Sequence, residues 1–376
     1  MPHVSVTLVR PPEPLRLSQV RRRPYALLAG VAVVMGIAAL ITSAALGESL
    51  KDPDGSLGPS WFRLPMMVLG AFVVDVVPRA VWRSRGRFRS FGAQARGVIR
   101  EHWTRERVSL VVIGLVTFYV TYVSYRNLKN FLPRVNDSLH DTQLHAIDRA
   151  LMFGHEPAVL LHHLLGETYS AHVLAIVYLM FLPISPLSLI VYLVWARDVT
   201  VGYWYATAQC LAWAMGTVSY YLLPTLGPNF AYVWLYKDLD QTSVAAMQES
   251  LYYSRGDVRF NPLHTDSIQS VAGFASLHVG IILTLALVTH FTVRHTWIRR
   301  GTWVYFGLTV VSTLYFGWHY IADDVGGAVI AILAVWLGGL ATGQRFLRRG
   351  RSVVLASRAT LAPVDTPDTS HAAVPN

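Results

Sequence analysis

Long apolar runs alternate with short basic stretches along this chain, and the runs are of similar length. Those near Tyr25 to Gly47, Trp61 to Trp82, Val108 to Tyr125, Ala171 to Trp195, Val201 to Leu223, Ser276 to Arg294, Thr302 to Trp318 and His319 to Leu340 each approach the roughly 17–25 residues an α-helix needs to cross bilayer hydrocarbon. The pattern predicts an all-α integral membrane fold with about eight transmembrane helices. From Gly301 to Leu340 the chain is apolar except at Gly317, Trp318, His319, Asp323 and Asp324, so the turn between the last two spans is placed there. Between the third and fourth runs, Asp141 to Leu165 is amphipathic, with Leu144, Ile147, Leu151, Val159 and Leu160 recurring among polar residues. A helix lying in the membrane interface suits that pattern.

Past Arg351 the chain turns to Ser, Thr, Pro and Ala and reads as a disordered tail. No internal repeat is visible. The expected organisation is a cytoplasmic segment 1–24, two helices with a basic cytoplasmic loop over 25–107, a catalytic body with exterior loops over 108–342, and a tail over 343–376.

Composition removes the soluble alternatives. Hydrophobic residues make up 53% and charged residues 14% of the 376, and mean hydropathy is +0.39, too apolar for a fully wetted surface. The net charge of +10 does not call for a nucleic-acid partner, because the basic residues cluster between apolar runs as the positive-inside rule requires. Arg21 to Arg23, Arg83 to Arg107, Arg197, Arg294 to Arg300 and Arg345 to Arg351 all fall on one side if there are eight spans. Both termini are then cytoplasmic, and the exterior receives two long connections, about Arg126 to Ser170 and Pro224 to Ala275, together with the His319 turn. The first run exceeds the roughly 7–15 residues of a signal-peptide core and reads as an uncleaved anchor. Cys210 stands alone, so no intrachain disulfide is possible, and no Cys/His spacing or carboxylate cluster suggests a metal or other cofactor.

Two exterior motifs carry the candidate chemistry: Gly273-Phe274-Ala275-Ser276-Leu277-His278 and Trp318-His319-Tyr320-Ile321-Ala322-Asp323-Asp324. Ser276 is a good N-cap, and His278 falls in the first turn of the helix that follows. His319 is expected to open the last span, with Asp323 one turn deeper on the same face. Two helix N-termini converging at one surface would offer unpaired N–H groups and aligned dipoles to a phosphate. Asp323 would fix the His319 tautomer and stabilise the ring after nucleophilic attack, while His278 protonates the leaving oxygen. Ionisable groups at membrane depth are expensive, so three at matching depth point to chemistry rather than packing.

At these residues the sequence resembles the phosphatidic acid phosphatase type 2 superfamily, and within it the inositol phosphorylceramide synthase-like branch. Ser276-Leu277-His278 and His319-Tyr320-Ile321-Ala322-Asp323 are similar to its Ser-Gly-His and His-x-x-x-Asp motifs. Leu277 in place of Gly, Gly326-Gly327, Pro224-Thr225-Leu226-Gly227-Pro228 after Tyr220-Tyr221, and Asp141 to Pro157 with Asp148-Arg149 and Phe153-Gly154 resemble the synthase branch. The resemblance covers about Asn130 to Leu340 and implies a six-helix core preceded by two extra helices, with His319 as nucleophile, His278 as acid and Asp323 as orienting group. The phosphatases carry a Ser-Arg pair where this chain has Ser312-Thr313, so another cation must neutralise the phosphoryl oxygens. Arg255, Arg259 and Lys237 are the candidates, with Arg126 and Arg134 behind them, and Ser276 helps bind phosphate; an arginine fork fits best.

The expected function is a membrane lipid phosphotransferase that moves a phosphoryl or phospho-headgroup unit from a lipid phosphate or phospholipid donor to an alcohol or polyol through a phosphohistidine-type intermediate. With water as acceptor it is a lipid phosphate or diphosphate phosphatase, and a non-catalytic lipid-binding or translocating protein is the reading from another class. The composition fits a bacterial plasma membrane, and a Golgi-type lumen gives the same topology.

Overall fold

Every apolar run folds as helix in the computed structural model: α1 (Ala26–Leu46), α2 (Ser60–Ser84), α4 (Arg105–Val135), which continues ten residues past the expected end at Tyr125, the consecutive α7 (Tyr169–Leu179) and α8 (Phe181–Trp195), α9 (Val199–Leu222), α12 (Leu277–Thr292), α13 (Thr296–Tyr315), which begins six residues before Thr302, and α14 (Ile321–Thr342). Between them lie α3 (Phe88–His102), α5 (Asp141–Leu151), α6 (Pro157–Leu165), the single turn α10 (Pro228–Ala231) and α11 (Ser243–Phe260). The described residues are 24–53, 59–85, 87–196, 198–261, 265, 271, 273–349 and 352–356. The arginines at 21–23 and 197, His264 and the last twenty positions fall outside them.

The molecule is a helical membrane protein. By length and composition five stretches can cross a membrane, namely Ala26–Leu46, Trp61–Ser84, Arg105–Val135, Tyr169–Trp195 and Ile321–Thr342, and Leu277–Thr292 is a shorter apolar helix. Helix α9 is long enough at 24 residues but rich in Tyr, Trp and Thr, and its position explains why. It packs against α1, α4, α8, α12 and α14, so it faces protein rather than lipid and polar side chains find partners. Trp204 Nε1 donates to the Val335 carbonyl at 2.8 Å, and Gln209 Nε2 donates to the Tyr205 hydroxyl at 2.6 Å.

The first two helices are tied to the rest. Helix α1 lies along α4 and α9. The buried carboxylate of Asp75 on α2 accepts from Arg79 at 2.6 Å, as i,i+4 spacing suggests, and also from Trp103 Nε1 at 3.1 Å and Trp195 Nε1 at 2.9 Å. One carboxylate thus joins α2, the α3–α4 junction and α8, which accounts for a buried acid on this helix. The amphipathic stretch forms α5 and α6. After α14, Arg345–Arg349 and Ser352–Ala356 pair as an antiparallel ribbon, where composition suggested disorder from Arg351 onward.

Candidate active site

The site forms where the N-termini of α12 and α14 cross, and two glycines allow the crossing. The Ser276 N–H donates to the Asp323 carbonyl at 2.9 Å. A Cβ on Gly327 would lie 2.2 Å from the Ser276 carbonyl oxygen, and one on Gly326 would lie 2.7 Å from the Ala275 Cβ. Ser276 caps α12 by accepting from the Val279 N–H at 3.4 Å. Leu277, which replaces the small residue of the related motif, fits because α9 has Gly216 opposite it; a Cβ there would lie 2.5 Å from Leu277 Cδ2.

His319 sits in the turn before α14 rather than in the helix itself. Tyr320 is the N-cap, and its N–H donates to Asp323 Oδ2 at 3.0 Å. The same oxygen lies 3.3 Å from His319 Nδ1, so one carboxylate holds both the cap and the ring. Holding Nδ1 in this way fixes which ring nitrogen faces the carboxylate and leaves Nε2 on the opposite side of the ring. His319 is 3% and Asp323 0% exposed, so the ring is kept from bulk water. Asp324, also buried, accepts from the Thr313 hydroxyl at 2.9 Å. Thr313, which stands where the phosphatases carry the arginine of their Ser-Arg pair, therefore holds the neighbouring carboxylate, while the Ser312 hydroxyl donates to the Thr309 carbonyl at 2.9 Å.

His278 lies between aromatic rings, with Tyr178 at 4.3 Å and Phe181 at 4.0 Å between centroids, and Trp318 stacks on the far face of Tyr178 at 5.2 Å. Its charged neighbours are His319 and Lys129. Lys129 is a functional candidate the sequence reading overlooked. It is only 6% exposed, with Nζ 3.2 Å from the Tyr125 hydroxyl and 5.3 Å from the Tyr220 ring centroid. The available signal was a lysine one helical turn after Tyr125, on an α4 stretch whose only other charge between Arg107 and Arg134 is Arg126. Tyr220 is buried at 2% as part of this cage, whereas Trp234, Tyr252 and Tyr253 are exposed.

Helix α5 supplies two further carboxylates. Asp141 accepts from the Leu226 N–H at 3.0 Å, the Gly227 N–H at 3.0 Å and the Tyr320 hydroxyl at 2.9 Å. It thereby fastens the Pro224-Thr225-Leu226-Gly227-Pro228 loop to the His319 turn, and Gly227 is required because a Cβ would lie 2.4 Å from the Trp318 carbonyl oxygen. Asp148 accepts from the Ile321 N–H at 3.0 and 3.1 Å. Burial, reinforced by Asp323 and Glu156, raises its carboxyl to about 7 against the opposing pull of the Ile321 and Ala322 amides. The N-terminus of α14 is therefore already occupied by carboxylates. The expected pair of open helix ends reduces to that of α12.

The remaining cations lie further out. Arg259 pairs with Asp137 at 2.6 Å on the surface, Lys237 is exposed, and Arg134 contacts Glu48. Arg255 is half-buried, with Arg259, Asp137 and Asp141 as its charged neighbours. Ser276, His278, His319 and Asp323 are thus brought together; Arg255 borders the cluster, and Arg259 and Lys237 stand apart.

Among known proteins, a family model described as the PAP2 superfamily matches residues 142–337. That interval contains both histidine motifs, Asp148 and the Pro-Thr loop, while Lys129 and Asp141 precede it. No curated protein and no solved structure matches the chain.

Proposed function

The chain belongs to the PAP2 superfamily, whose members are generally phosphatases or phosphotransferases, and we propose that it is a phosphotransferase of the inositol phosphorylceramide synthase-like kind acting on a lipid phosphate. The observation that carries this reading is His319, shielded from water and held through Nδ1 by Asp323 at 3.3 Å, with His278 and Lys129 beside it. Nε2 of His319 attacks phosphorus, the bond to the leaving oxygen breaks, and His278 delivers a proton to that oxygen. An alcohol then attacks the phosphohistidine and returns its proton to His278. Lys129, with Arg255 at the edge, neutralises the phosphoryl oxygens in place of the absent arginine. Arg259 and Lys237 contribute further out.

The supports for transfer over hydrolysis are Leu277 seated against Gly216, the Gly326-Gly327 crossing, and the aromatic wall of Tyr178, Phe181 and Trp318, which limits water at the intermediate. In the topology we propose, α7 and α8 cross as one of eight spans, the site faces the exterior of a bacterial plasma membrane and both termini are cytoplasmic. Labelling of single cysteines introduced at Lys237 and Arg300 by an impermeant reagent tests this; equal labelling of both in intact cells would refute it.

The deciding experiment is turnover of lipid phosphates, diphosphates and phosphoinositides by purified protein in lipid, with and without inositol or other alcohols, beside His319→Ala. A phosphorylated alcohol formed by wild type alone supports transfer. Release of free phosphate alone would make the protein a lipid phosphatase. If both proteins were inert on every donor, a lipid-binding or translocating role would replace catalysis.

A further inference from the structure

We infer that Asp148 and Asp141 are positioning residues, through which the interfacial helix α5 fixes the direction in which His319 is presented. This rests on the phosphoryl-transfer reading of the same site. His319 lies outside α14 in the turn that begins at Phe316, so no intrahelical hydrogen bond determines where its ring points. Two contacts decide that placement. Asp323 holds the ring from within α14, and the α5 carboxylates hold the cap residue and the one after it: Asp148 accepts from the Ile321 backbone N–H at 3.0 and 3.1 Å, and Asp141 accepts from the side-chain hydroxyl of the N-cap Tyr320 at 2.9 Å. Asp141 binds the Leu226 and Gly227 amides as well, so the loop that packs against Trp318 is held by the same residue.

Both carboxylates are buried, at 2% exposure for Asp148 and 7% for Asp141. Buried carboxylates are costly unless donors surround them. They lie seven residues apart on one face of an eleven-residue helix whose other positions are largely exposed. A helix anchored this way aligns two loops that have no continuous secondary structure between them. Neither carboxylate is assigned to touch phosphorus, so its effect on turnover passes through His319.

The test compares Asp148→Ala, Asp148→Asn and Ile321→Pro with wild type and His319→Ala, using the lipid-reconstituted turnover assay and thermal unfolding. Ile321→Pro removes the donated N–H from the other partner while leaving the helix start acceptable, because Ile321 is the first helical residue and Tyr320 before it has φ −80 and ψ 160. The expected result is that Asp148→Ala and Ile321→Pro each lower kcat by about 10- to 100-fold, the loss associated with a misplacement near 1 Å, with KM within about twofold. Asp148→Asn, which keeps one acceptor oxygen, recovers part of the loss. The double variant is no worse than the poorer single one, since both delete one contact. If Asp148→Ala does not fold, Ile321→Pro alone decides. Wild-type kcat in folded Ile321→Pro, or in both variants, with His319→Ala inert, would overturn the inference while leaving the proposed function intact. Activity retained by His319→Ala would instead overturn that function, and this inference with it.

Discussion

The closeness of α12 and α14 makes Gly327→Ala the most demanding test of the site. Adding one methyl group would place a Cβ 2.2 Å from the Ser276 carbonyl oxygen and 3.2 Å from the Gly280 nitrogen. Both opposing atoms are backbone, so no side chain can rotate away. To restore a tolerable contact the helices must separate by about 1 Å, which loosens the Ser276 N–H to Asp323 carbonyl bond at 2.9 Å and moves His278 away from His319. Overpacking of this kind costs about 1–3 kcal/mol of stability, and a 1 Å displacement of reacting groups costs about 100-fold in rate. Turnover should therefore fall far more than thermal stability alone would explain. Gly301→Ala on α13, where nothing lies within 4 Å of the added Cβ, is the control and should keep wild-type turnover. If Gly327→Ala retained activity within threefold of that control, the two imidazoles would not be working across this crossing.

Other outcomes follow from the same geometry. Gly216→Ala should be rescued by Leu277→Gly, because the clash at 2.5 Å is with the leucine side chain; failure of the double variant to regain turnover would reject that pairing. Lys129→Met should lower kcat by at least about 100-fold, in line with the loss of a principal charge stabiliser, and Arg255→Gln should cost less; the reverse order in the turnover assay would return the phosphate site to the exterior loop. Asp148 has a folded pKa raised to about 7 by burial, then by Asp323 and Glu156, with Asp324 and Tyr236 also facing it. Since its folded pKa exceeds the unfolded value of 3.8, its protonation favours the fold at low pH, and that contribution is lost as pH rises toward 7. Activity, which uses the ionised grip, should rise over the same window, and Asp148→Asn should flatten that limb of the pH–kcat profile; an unchanged limb would assign it to another group. Turnover should survive a chelator, and loss restored by a divalent cation would contradict the histidine mechanism.

The apolar helices were legible because each run is long enough to cross hydrocarbon, and even the turn between α13 and α14 was marked by its polar residues, whereas α3 and α11 fall in stretches that read as connections. The clustering of His278, His319 and Asp323 was legible because histidine and aspartate are rare at membrane depth. Lys129 was not, since a lysine near a helix end reads as an interfacial anchor until Tyr125 and Tyr220 are seen to enclose it. Asp148 was hidden differently: its spacing identifies a helix face, but its partner is a backbone N–H 173 positions away, and backbone donors leave no trace in side-chain patterns. For the same reason the sequence predicted two open helix ends where only that of α12 is left for a phosphate.

Four carboxylates near one phosphate site would be self-defeating if their charges were free, since two like charges 4 Å apart repel by about 4 kcal/mol in a partly wet protein environment. Each is instead turned to a donor within the fold: Asp141 to two amides and a hydroxyl, Asp148 to Ile321, Asp323 to Tyr320 and His319, and Asp324 to Thr313. The groups that can accept negative charge come from other elements, Lys129 from α4 and His278 from the first turn of α12. His319 therefore stands between carboxylates supplied by α5 and α14 on one side and Lys129 of α4 with the His278 imidazole of α12 on the other. A phosphoryl group held on the cationic side meets the nucleophile from its Nε2 side while Asp323 supports the ring from behind. On the proposed reading, this charge pattern orders the site for attack by His319, with Asp323 supporting the ring.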